Sequence, residues 1–210
     1  MERKFRVLQL YYSDNSAAYA PHMLLLEARA IFEAISIDFK LQEQASEQFL
    51  SVNPKGRVPV LKTSEGILTE TPALLLYISQ TYPDKHLAPT DPFKLAEAQA
   101  FNMYIASTVH VGHAHSHRGT RWADDPSARK SMAAKVKTNM YSYAKFIEEH
   151  YLTGPWILGN EYSMCDPYLS LVNRWLKNDG VEINEFPKLR DHEALISERW
   201  SHKEIQRIYS

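Results

Sequence analysis

The sequence has very little cysteine and no excess of either charge, and each shortage excludes a class of protein. Cys165 is the single cysteine in 210 residues, which excludes a disulfide framework and any zinc site built on cysteines. Lys plus Arg number 24 and Asp plus Glu 25, so neither nucleic acid nor an anionic membrane surface is an expected partner. No apolar run approaches the roughly 18 residues of a membrane span. No secretory cleavage pattern is present either, so we expect a cytoplasmic protein.

The first part of the chain alternates strand and helix patterns. Hydrophobic residues make up 44% of the chain, enough for a core. Their spacing predicts a strand over 5–12, a helix over 17–32, a strand over 35–41, short strands over 58–62 and 67–69, and a helix over 73–82. This order predicts a small α/β domain with a mixed sheet.

The composition changes at residues 83–92, which hold three prolines and several polar residues. Beyond them the spacing predicts helices alone, over 93–122, 126–152, 164–177, 188–199 and 201–209. We therefore predict an α/β domain over 1–83, a linker over 84–92 and an all-helical domain over 93–210.

One helix start in the second half is well specified. Ser163 stands three residues before Asp166, the spacing of a capping box in which each side chain satisfies a backbone N–H. The spacing favours a structural role for Asp166 over a catalytic one. Cys165, inside the same turn, is either a thiol activated by the helix end or a small buried apolar residue, and we favour the second.

The segment NPKGRVPVL at 53–61 carries the most information about chemistry. Pro59 cannot donate to a sheet ladder, so the Val58–Pro59 pair belongs at an edge or in a bend. On its own, this proline marks structure and not function.

A second informative segment is Glu70-Thr71-Pro72. Pro72 suits the first position of a helix, which makes Thr71 the predicted N-cap. The free N–H groups of a helix N-terminus bind anions, and Glu70 supplies a carboxylate for an ammonium. Together they would hold an amino-acid head group; the alternative is an ordinary capped helix with an exposed acid.

These two segments, in this order and spacing, resemble the glutathione transferase superfamily, and bacterial beta-like enzymes in particular. The resemblance covers nearly the whole chain and includes LYYS at 10–13, APH at 20–22, TET at 69–71 and SMCD at 163–166. It implies a thioredoxin-like N-terminal domain followed by an all-α domain. It also implies a cis Val58–Pro59 bond, with the Val58 backbone on the cysteinyl part of glutathione and with Glu70 and Thr71 on the γ-glutamyl end. Lys40 would pair with the glycine carboxylate; its alternative is a solvated lysine at a strand end.

The sequence departs from the beta-type pattern at the tip of the first helix. Where those enzymes carry a cysteine, this chain has Ala17, so thiol–disulfide exchange through an enzyme thiol is disfavoured. A hydroxyl that donates to the glutathione sulfur would favour the reactive thiolate. Ser16 is our first candidate, followed by Tyr12 and Ser13. The alternative role of Ser16 is a helix N-cap.

A tract of four histidines lies between residues 110 and 117. His110, His113 and His117 would share one helix face, and such tracts can bind metal ions. No carboxylate or thiolate partner is evident in the sequence, so we predict no metal site. The resemblance implies that this helix borders a cleft between domains, with His110 near the active site. The pocket for the second substrate would then include His113, His117, Arg118, Arg121 and Trp122; the alternative is a solvated helix turn with Trp122 in the core.

The resemblance implies a cytoplasmic, homodimeric glutathione S-transferase acting in detoxification, with glutathione as co-substrate, a small electrophile as second substrate and no further cofactor. One alternative is a glutathione-dependent isomerase, dehalogenase or peroxidase on the same scaffold. Another is a binding protein that has kept the fold without turnover.

Overall fold

The computed structural model describes residues 8–209, which divide into two compact units. Residues 8–88 together with 199–209 form one, here called the N-terminal unit, and residues 89–198 form the other, the helical unit. The division after residue 88 falls inside the predicted linker. The last helix differs from the prediction, because we grouped it by sequence with the helical domain and it packs within the N-terminal unit.

The N-terminal unit is built on a four-stranded mixed sheet in the order β2-β1-β3-β4. Strand β1 (Leu8–Tyr12) pairs in parallel with β2 (Phe32–Ser36) and antiparallel with β3 (Val60–Lys62), which pairs antiparallel with β4 (Ile67–Thr69). The helices of this unit are α1 (Tyr19–Glu27), α2 (Glu47–Val52), α3 (Thr71–Thr81) and α9 (Trp200–Ile208). The thioredoxin-like sheet domain expected from the sequence is confirmed.

Strand β2 lies earlier in the chain than the predicted strand over 35–41. Helix α1 ends at Glu27, and Arg29 follows it in the left-handed region (φ 54°). The chain therefore reverses early, and Phe32 already pairs with Leu8. The apolar alternation continues past the strand because Ile37 is buried in a cluster with Phe49 and Val60.

Helix α9 is held on α1 by polar contacts. Arg199 donates from Nε and Nη2 to the two carboxylate oxygens of Glu27, each at 2.7 Å, and the Ser201 hydroxyl donates to the same carboxylate. Nδ1 of His202 lies 3.1 Å from the hydroxyl of Tyr19. These contacts explain why α9 belongs to the N-terminal unit.

The helical unit confirms the all-α prediction: its described residues hold helices and turns without a strand. Its helices are α4 (Pro92–Tyr104), α5 (His110–Ala114), α6 (Pro126–His150), α7 (Asp166–Asn178) and α8 (Pro187–Glu198). The predicted helix over 93–122 is interrupted, because a π-helical turn (Ile105–Val109) joins α4 to α5 and the chain leaves the helix after Ala114. Helix α7 is buried along almost its whole length. Among the helices described, none is both long and apolar enough to cross a bilayer.

Candidate functional site

The strand register gathers the segments singled out from the sequence at one end of the sheet. Tyr11 is aligned with Val60, and Val60 with Thr69, while Tyr12 is aligned with Ser36 of the parallel neighbour. Strands β1, β2 and β4 therefore end where β3 begins. The loops that carry the candidate hydroxyls, Lys40, the Val58–Pro59 pair and the Glu70–Thr71 pair all leave the sheet at this end.

The Val58–Pro59 bond is cis, as predicted. Pro59 is buried and Val58 is half-buried, just before the first paired residue of β3. Within residues 8–209, neither the amide nor the carbonyl of Val58 has a hydrogen-bond partner. A bound peptide group can take up such a donor and acceptor in the manner of an added strand.

The loop before this bond is fixed by Asn53, which is buried. Its Nδ2 donates to the carbonyl of Arg57 at 2.6 Å, and its Oδ1 accepts from the amide of Lys55 at 3.2 Å. Gly56 has φ +61°, a conformation that side chains disfavour, and a Cβ there would lie 3.1 Å from the Gln44 carbonyl. Asn53 and Gly56 thus set the position of Val58.

Helix α3 begins one residue earlier than predicted: the N-cap is Glu70, and Thr71 is the first helical residue. The Glu70 carbonyl accepts from the amide of Leu74 at 3.0 Å, which starts the helix. Glu70 has φ +74°, uncommon for a residue with a side chain and typical of functional positions. Thr71 is buried, and no group in the described chain bonds its amide or hydroxyl.

Glu70 has a partner that the sequence analysis missed. Nζ of Lys55 donates to Oε1 of Glu70 at 2.6 Å and to the hydroxyl of Thr69 at 2.8 Å. The side chains of Lys55 and Glu70 are 50% and 68% exposed, so this ion pair faces solvent. The carboxylate proposed to hold an ammonium therefore already lies beside one.

The hydroxyl of Ser16 shapes the loop between β1 and α1. It donates to the carbonyl of Ser13 at 2.6 Å and accepts from the amide of Ala18 at 3.3 Å. Ser16 is buried, and its one hydroxyl hydrogen is committed to this turn. Ser13 is also buried, but its hydroxyl has no hydrogen-bond partner in the part of the chain described. The alternative role of Ser16 as the N-cap is wrong, because the N-cap of α1 is Ala18 and the Ser16 hydroxyl accepts from an amide that precedes the helix.

Tyr12 lies in an aromatic cluster with His22 of α1, Phe32 of β2 and Tyr209. Its ring centroid is 5.3 Å from that of His22 and 5.2 Å from that of Tyr209. Nδ1 of His22 lies 3.2 Å from the Tyr209 hydroxyl, and the Phe32 ring packs on the same imidazole. Burial lowers the pKa of His22 to about 4, so this imidazole is neutral near pH 7. The cluster fixes the Tyr12 ring at the end of β1.

The chain presents no accessible thiol in its described part. Ala17 is buried at the place that a cysteine occupies in the beta-type pattern. The single cysteine, Cys165, is buried in the helical unit, where burial and the neighbouring Asp166 carboxylate raise the pKa of its thiol well above the usual value. The interpretation of Cys165 as a small buried residue is therefore correct.

The prediction that Lys40 stands at a strand end is wrong. Strand β2 stops at Ser36, and Lys40 lies in a turn in which Asp38 Oδ1 accepts from the amides of Lys40, at 2.7 Å, and Leu41, at 3.3 Å. The turn still lies at the same end of the sheet, because it follows the strand parallel to β1. Lys40 is exposed, and its ammonium bonds no residue in the range 8–209.

In the helical unit, two residues of the histidine tract pack on one tryptophan. His113 stacks on Trp175 with centroids 4.9 Å apart and planes 11° apart, and His110 stacks on it at 4.7 Å and 30°. Nδ1 of His113 lies 2.7 Å from Oδ2 of Asp179, whose side chain is 2% exposed. Since a carboxylate only accepts, Nδ1 carries the hydrogen. The pairing supplies His113 with a structural partner that lies 66 residues away.

The rest of the tract lies beyond α5. His115, which we had not assigned to a site, packs edge-on against Trp122 at 4.7 Å, and His117 is exposed, 6.5 Å from His113 between ring centroids. Trp122 is 45% exposed, so it does not anchor in the core. Arg121 directly precedes Trp122 in the chain, and Arg118 stands four residues before it. Across residues 8–209, no cluster of three or more His, Cys, Asp or Glu has the arrangement of a metal site.

The reciprocal contacts predicted for Ser163 and Asp166 are present, but Ser163 is not the N-cap, because α7 begins at Asp166 with Cys165 before it. The Ser163 hydroxyl accepts from the amide of Cys165 at 3.2 Å. The Asp166 carboxylate is fully buried and accepts from the amide of Ser163 at 2.7 Å, from its hydroxyl at 3.0 Å and from the amide of Ile157 at 3.0 Å. Nε2 of the buried His192 lies 3.1 Å from it. This network ties α7 to α8 and to the loop before it, which is a structural role.

Comparison with known proteins gives consistent matches. The family model described as Glutathione S-transferase, N-terminal domain, matches residues 7–80. A glutathione transferase homologue from Sulfitobacter, solved with bound glutathione, has a TM-score of 0.94 and 38% identity, over 96% of this chain and 98% of that one. Glutathione S-transferase GstA of Escherichia coli O157:H7 is 28% identical over 183 residues, 83% of this chain and 88% of that protein. Maleylacetoacetate isomerase of Pseudomonas aeruginosa is 25% identical over 190 residues, 87% of this chain and 88% of that protein.

Proposed function

The chain belongs to the glutathione transferase superfamily, and we propose that it binds glutathione at the described end of the sheet and transfers its sulfur to an electrophilic carbon. The observation that carries this proposal is the convergence of three features at that end: the unpaired backbone groups of Val58, the free amide and hydroxyl of Thr71, and the carboxylate of Glu70. Each of them matches one part of a γ-glutamyl-cysteinyl peptide.

The proposed docking assigns one protein group to each part of the tripeptide. The amide and carbonyl of Val58 pair with the cysteinyl backbone, which orients the thiol. The carboxylate of Glu70 binds the γ-glutamyl ammonium, and Thr71 at the start of α3 binds the neighbouring carboxylate. Lys40, an exposed cation in the turn after β2, is assigned to the glycine carboxylate.

We propose Ser13 as the hydroxyl that donates to the glutathione sulfur, with Tyr12 as the alternative. The support is that the Ser16 hydroxyl already gives its hydrogen to the Ser13 carbonyl, whereas the Ser13 hydroxyl is uncommitted within the described residues. This reverses the order expected from sequence, in which Ser16 came first. Ser16 then acts by holding the loop in which Ser13 lies.

In the reaction, the thiol of bound glutathione loses its proton to solvent and the thiolate attacks the electrophile. A carbon–sulfur bond forms, and a leaving group such as halide departs with its electron pair. A hydrogen bond from Ser13 stabilises the thiolate and lowers the pKa of the thiol. Because Ala17 stands in the cysteine position, no mixed disulfide with the enzyme forms there.

We assign the second substrate to the histidine tract and the turn that follows it. The residues proposed to contact it are His110, His113, His117, Arg118, Arg121 and Trp122. Their cationic and aromatic character favours a polar or anionic electrophile. The support within the helical unit is the partly exposed Trp122 and the exposed His117, both near the two arginines in the chain.

A glutathione-dependent isomerase is the second candidate. It is favoured by the similarity to maleylacetoacetate isomerase of Pseudomonas aeruginosa over 87% of this chain. Such a reaction returns glutathione unchanged, whereas transfer consumes it stoichiometrically. Following the free thiol during turnover therefore distinguishes the two functions, and binding without turnover on a broad panel would indicate a binding protein.

The assembly and location that we propose are a homodimer in the cytoplasm, with a role in detoxification and no cofactor beyond glutathione as co-substrate. The support for the dimer is the membership of the glutathione transferase superfamily. Light scattering after size exclusion tests this: a mass near 24.2 kDa would exclude the dimer.

The experiment that tests the function combines turnover with thiol titration. Purified protein is assayed with glutathione and an aryl halide, and the thiolate absorbance of bound glutathione is followed against pH. We expect product formation, and a higher thiol pKa in Ser13→Ala than in the parent. Ser16→Ala serves as the comparison. A Ser13→Ala titration identical to the parent's transfers the role to Tyr12 or Ser16.

A further inference from the structure

The ion pair between Lys55 and Glu70 has two unused hydrogen-bonding positions. The Lys55 ammonium has three hydrogens, of which one goes to Oε1 of Glu70 and one to the hydroxyl of Thr69. The third hydrogen has no acceptor among residues 8–209, and Oε2 of Glu70 has no donor there. The pair thus presents a cationic donor and an anionic acceptor side by side.

We propose that Lys55 is a specificity-determining residue that binds the α-carboxylate of the γ-glutamyl head group while Glu70 holds its ammonium. This inference rests on the proposed function, because it assigns a further residue to the same glutathione site. An α-amino acid carries its ammonium and its carboxylate on one carbon. A donor and an acceptor that are already adjacent therefore match both charges without breaking the internal pair.

Charge balance gives a second reason. A head group that brings its ammonium to Glu70 also brings its carboxylate close to the Glu70 carboxylate, and two like charges at such a distance repel. The cation of Lys55, 2.6 Å from Glu70, offsets that repulsion. Thr71 and the helix start add neutral donors, but neither carries a full positive charge.

The position of Lys55 is set by its backbone. Its amide donates to Asn53 at 3.2 Å, and Gly56 follows with φ +61°. Lys55 therefore belongs to the same turn that carries Val58, so that one loop would contact both the cysteinyl and the γ-glutamyl parts of the ligand. This couples the recognition of the head group to the placement of the thiol.

Calorimetry on the full chain tests the inference with two ligands: glutathione, and an analogue whose γ-glutamyl α-carboxylate is an amide. Lys55→Gln should bind glutathione roughly two- to fivefold more weakly, the upper part of the range for one solvent-exposed ion pair. The preference for glutathione over the amide analogue should be smaller in Lys55→Gln than in the parent. Lys55→Arg should restore most of this preference. Lys85→Gln, which removes an exposed lysine from the turn after α3, should match the parent.

The outcomes separate the two claims. Parent protein that binds neither ligand overturns the glutathione site and this inference together. If the parent binds glutathione and Lys55→Gln binds it equally or more tightly, the role of Lys55 alone is overturned. The same holds if Lys55→Gln keeps the parent's ratio of affinities for glutathione and the amide analogue. Both ligands are measured at two salt concentrations, because a contribution from Lys55 must weaken as salt rises.

Discussion

The buried histidine of α1 makes the stability of this protein depend on pH. His22 is 1% exposed and lies among Tyr12, Phe32 and Tyr209, and burial lowers its pKa from 6.5 to about 4. In the unfolded chain the same histidine takes up a proton near pH 6.5. Between these values the unfolded state binds more protons, so the free energy of unfolding falls as pH falls.

The magnitude follows from the size of the shift. At about 1.4 kcal/mol per pH unit, His22 should cost about 2 kcal/mol of stability by pH 5 and about 3 kcal/mol by pH 4. Above pH 6.5 its contribution is constant, and below pH 4 it causes little further loss.

Urea denaturation of the parent and of His22→Gln at intervals from pH 7.5 to pH 4.5 measures this effect. Carboxylates also titrate in this range, so the informative quantity is the difference between the two pH slopes. The parent should lose more stability than His22→Gln, whatever the stability of the variant at pH 7. His86→Asn, which removes an exposed histidine at a left-handed position, is the control and should keep the parent's slope. Equal slopes for the parent and His22→Gln would refute the reasoning.

Three further predictions concern the loop before Val58 and the helical unit. Asp166→Ala should lower the free energy of unfolding by about 3–5 kcal/mol, because it removes the buried acceptor of four contacts. The control Asp191→Ala, on the surface of α8, should change the free energy of unfolding little. A small loss for Asp166→Ala would argue against the network. Iodoacetamide should leave Cys165 unmodified in the native protein and label it after unfolding, and native labelling would contradict its burial. Gly56→Ala should cost about 1–2 kcal/mol of stability and weaken glutathione binding, since φ is +61° there; unchanged binding would show that this turn does not position Val58.

The sequence singled out segments that meet at one end of the sheet, but it did not indicate the contacts between them. Pro59, Glu70 and Thr71 were identifiable because proline and helix-start chemistry depend on local sequence. The pair of Lys55 and Glu70 was not, because these residues are 15 positions apart and meet through strand pairing. The same reason applies to His113 and Asp179.

The predicted boundaries of elements, and the unit assigned to the last helix, differ from the structure where packing overrides periodicity. The apolar alternation at 35–41 is typical of a strand, but β2 ends at Ser36 and residues 37–41 lie beyond it, with Ile37 buried against Phe49. Helix α9 has a clear apolar face, yet periodicity does not indicate which domain that face contacts. Its salt bridge from Arg199 to Glu27 spans 172 positions. The sequence favours Ser16 as the thiol activator, because it does not reveal that the hydroxyl hydrogen of Ser16 is directed to the Ser13 carbonyl.

The most direct measurement is the heat of binding of glutathione and S-methyl glutathione to the parent protein and to Glu70→Gln. We predict saturable binding of one glutathione per chain by the parent. We also predict a loss of roughly tenfold to a hundredfold in affinity for Glu70→Gln, as expected when a charged hydrogen-bond acceptor is removed. An absence of heat with both ligands, or equal affinities of parent and variant, would contradict the proposed binding site at this end of the sheet.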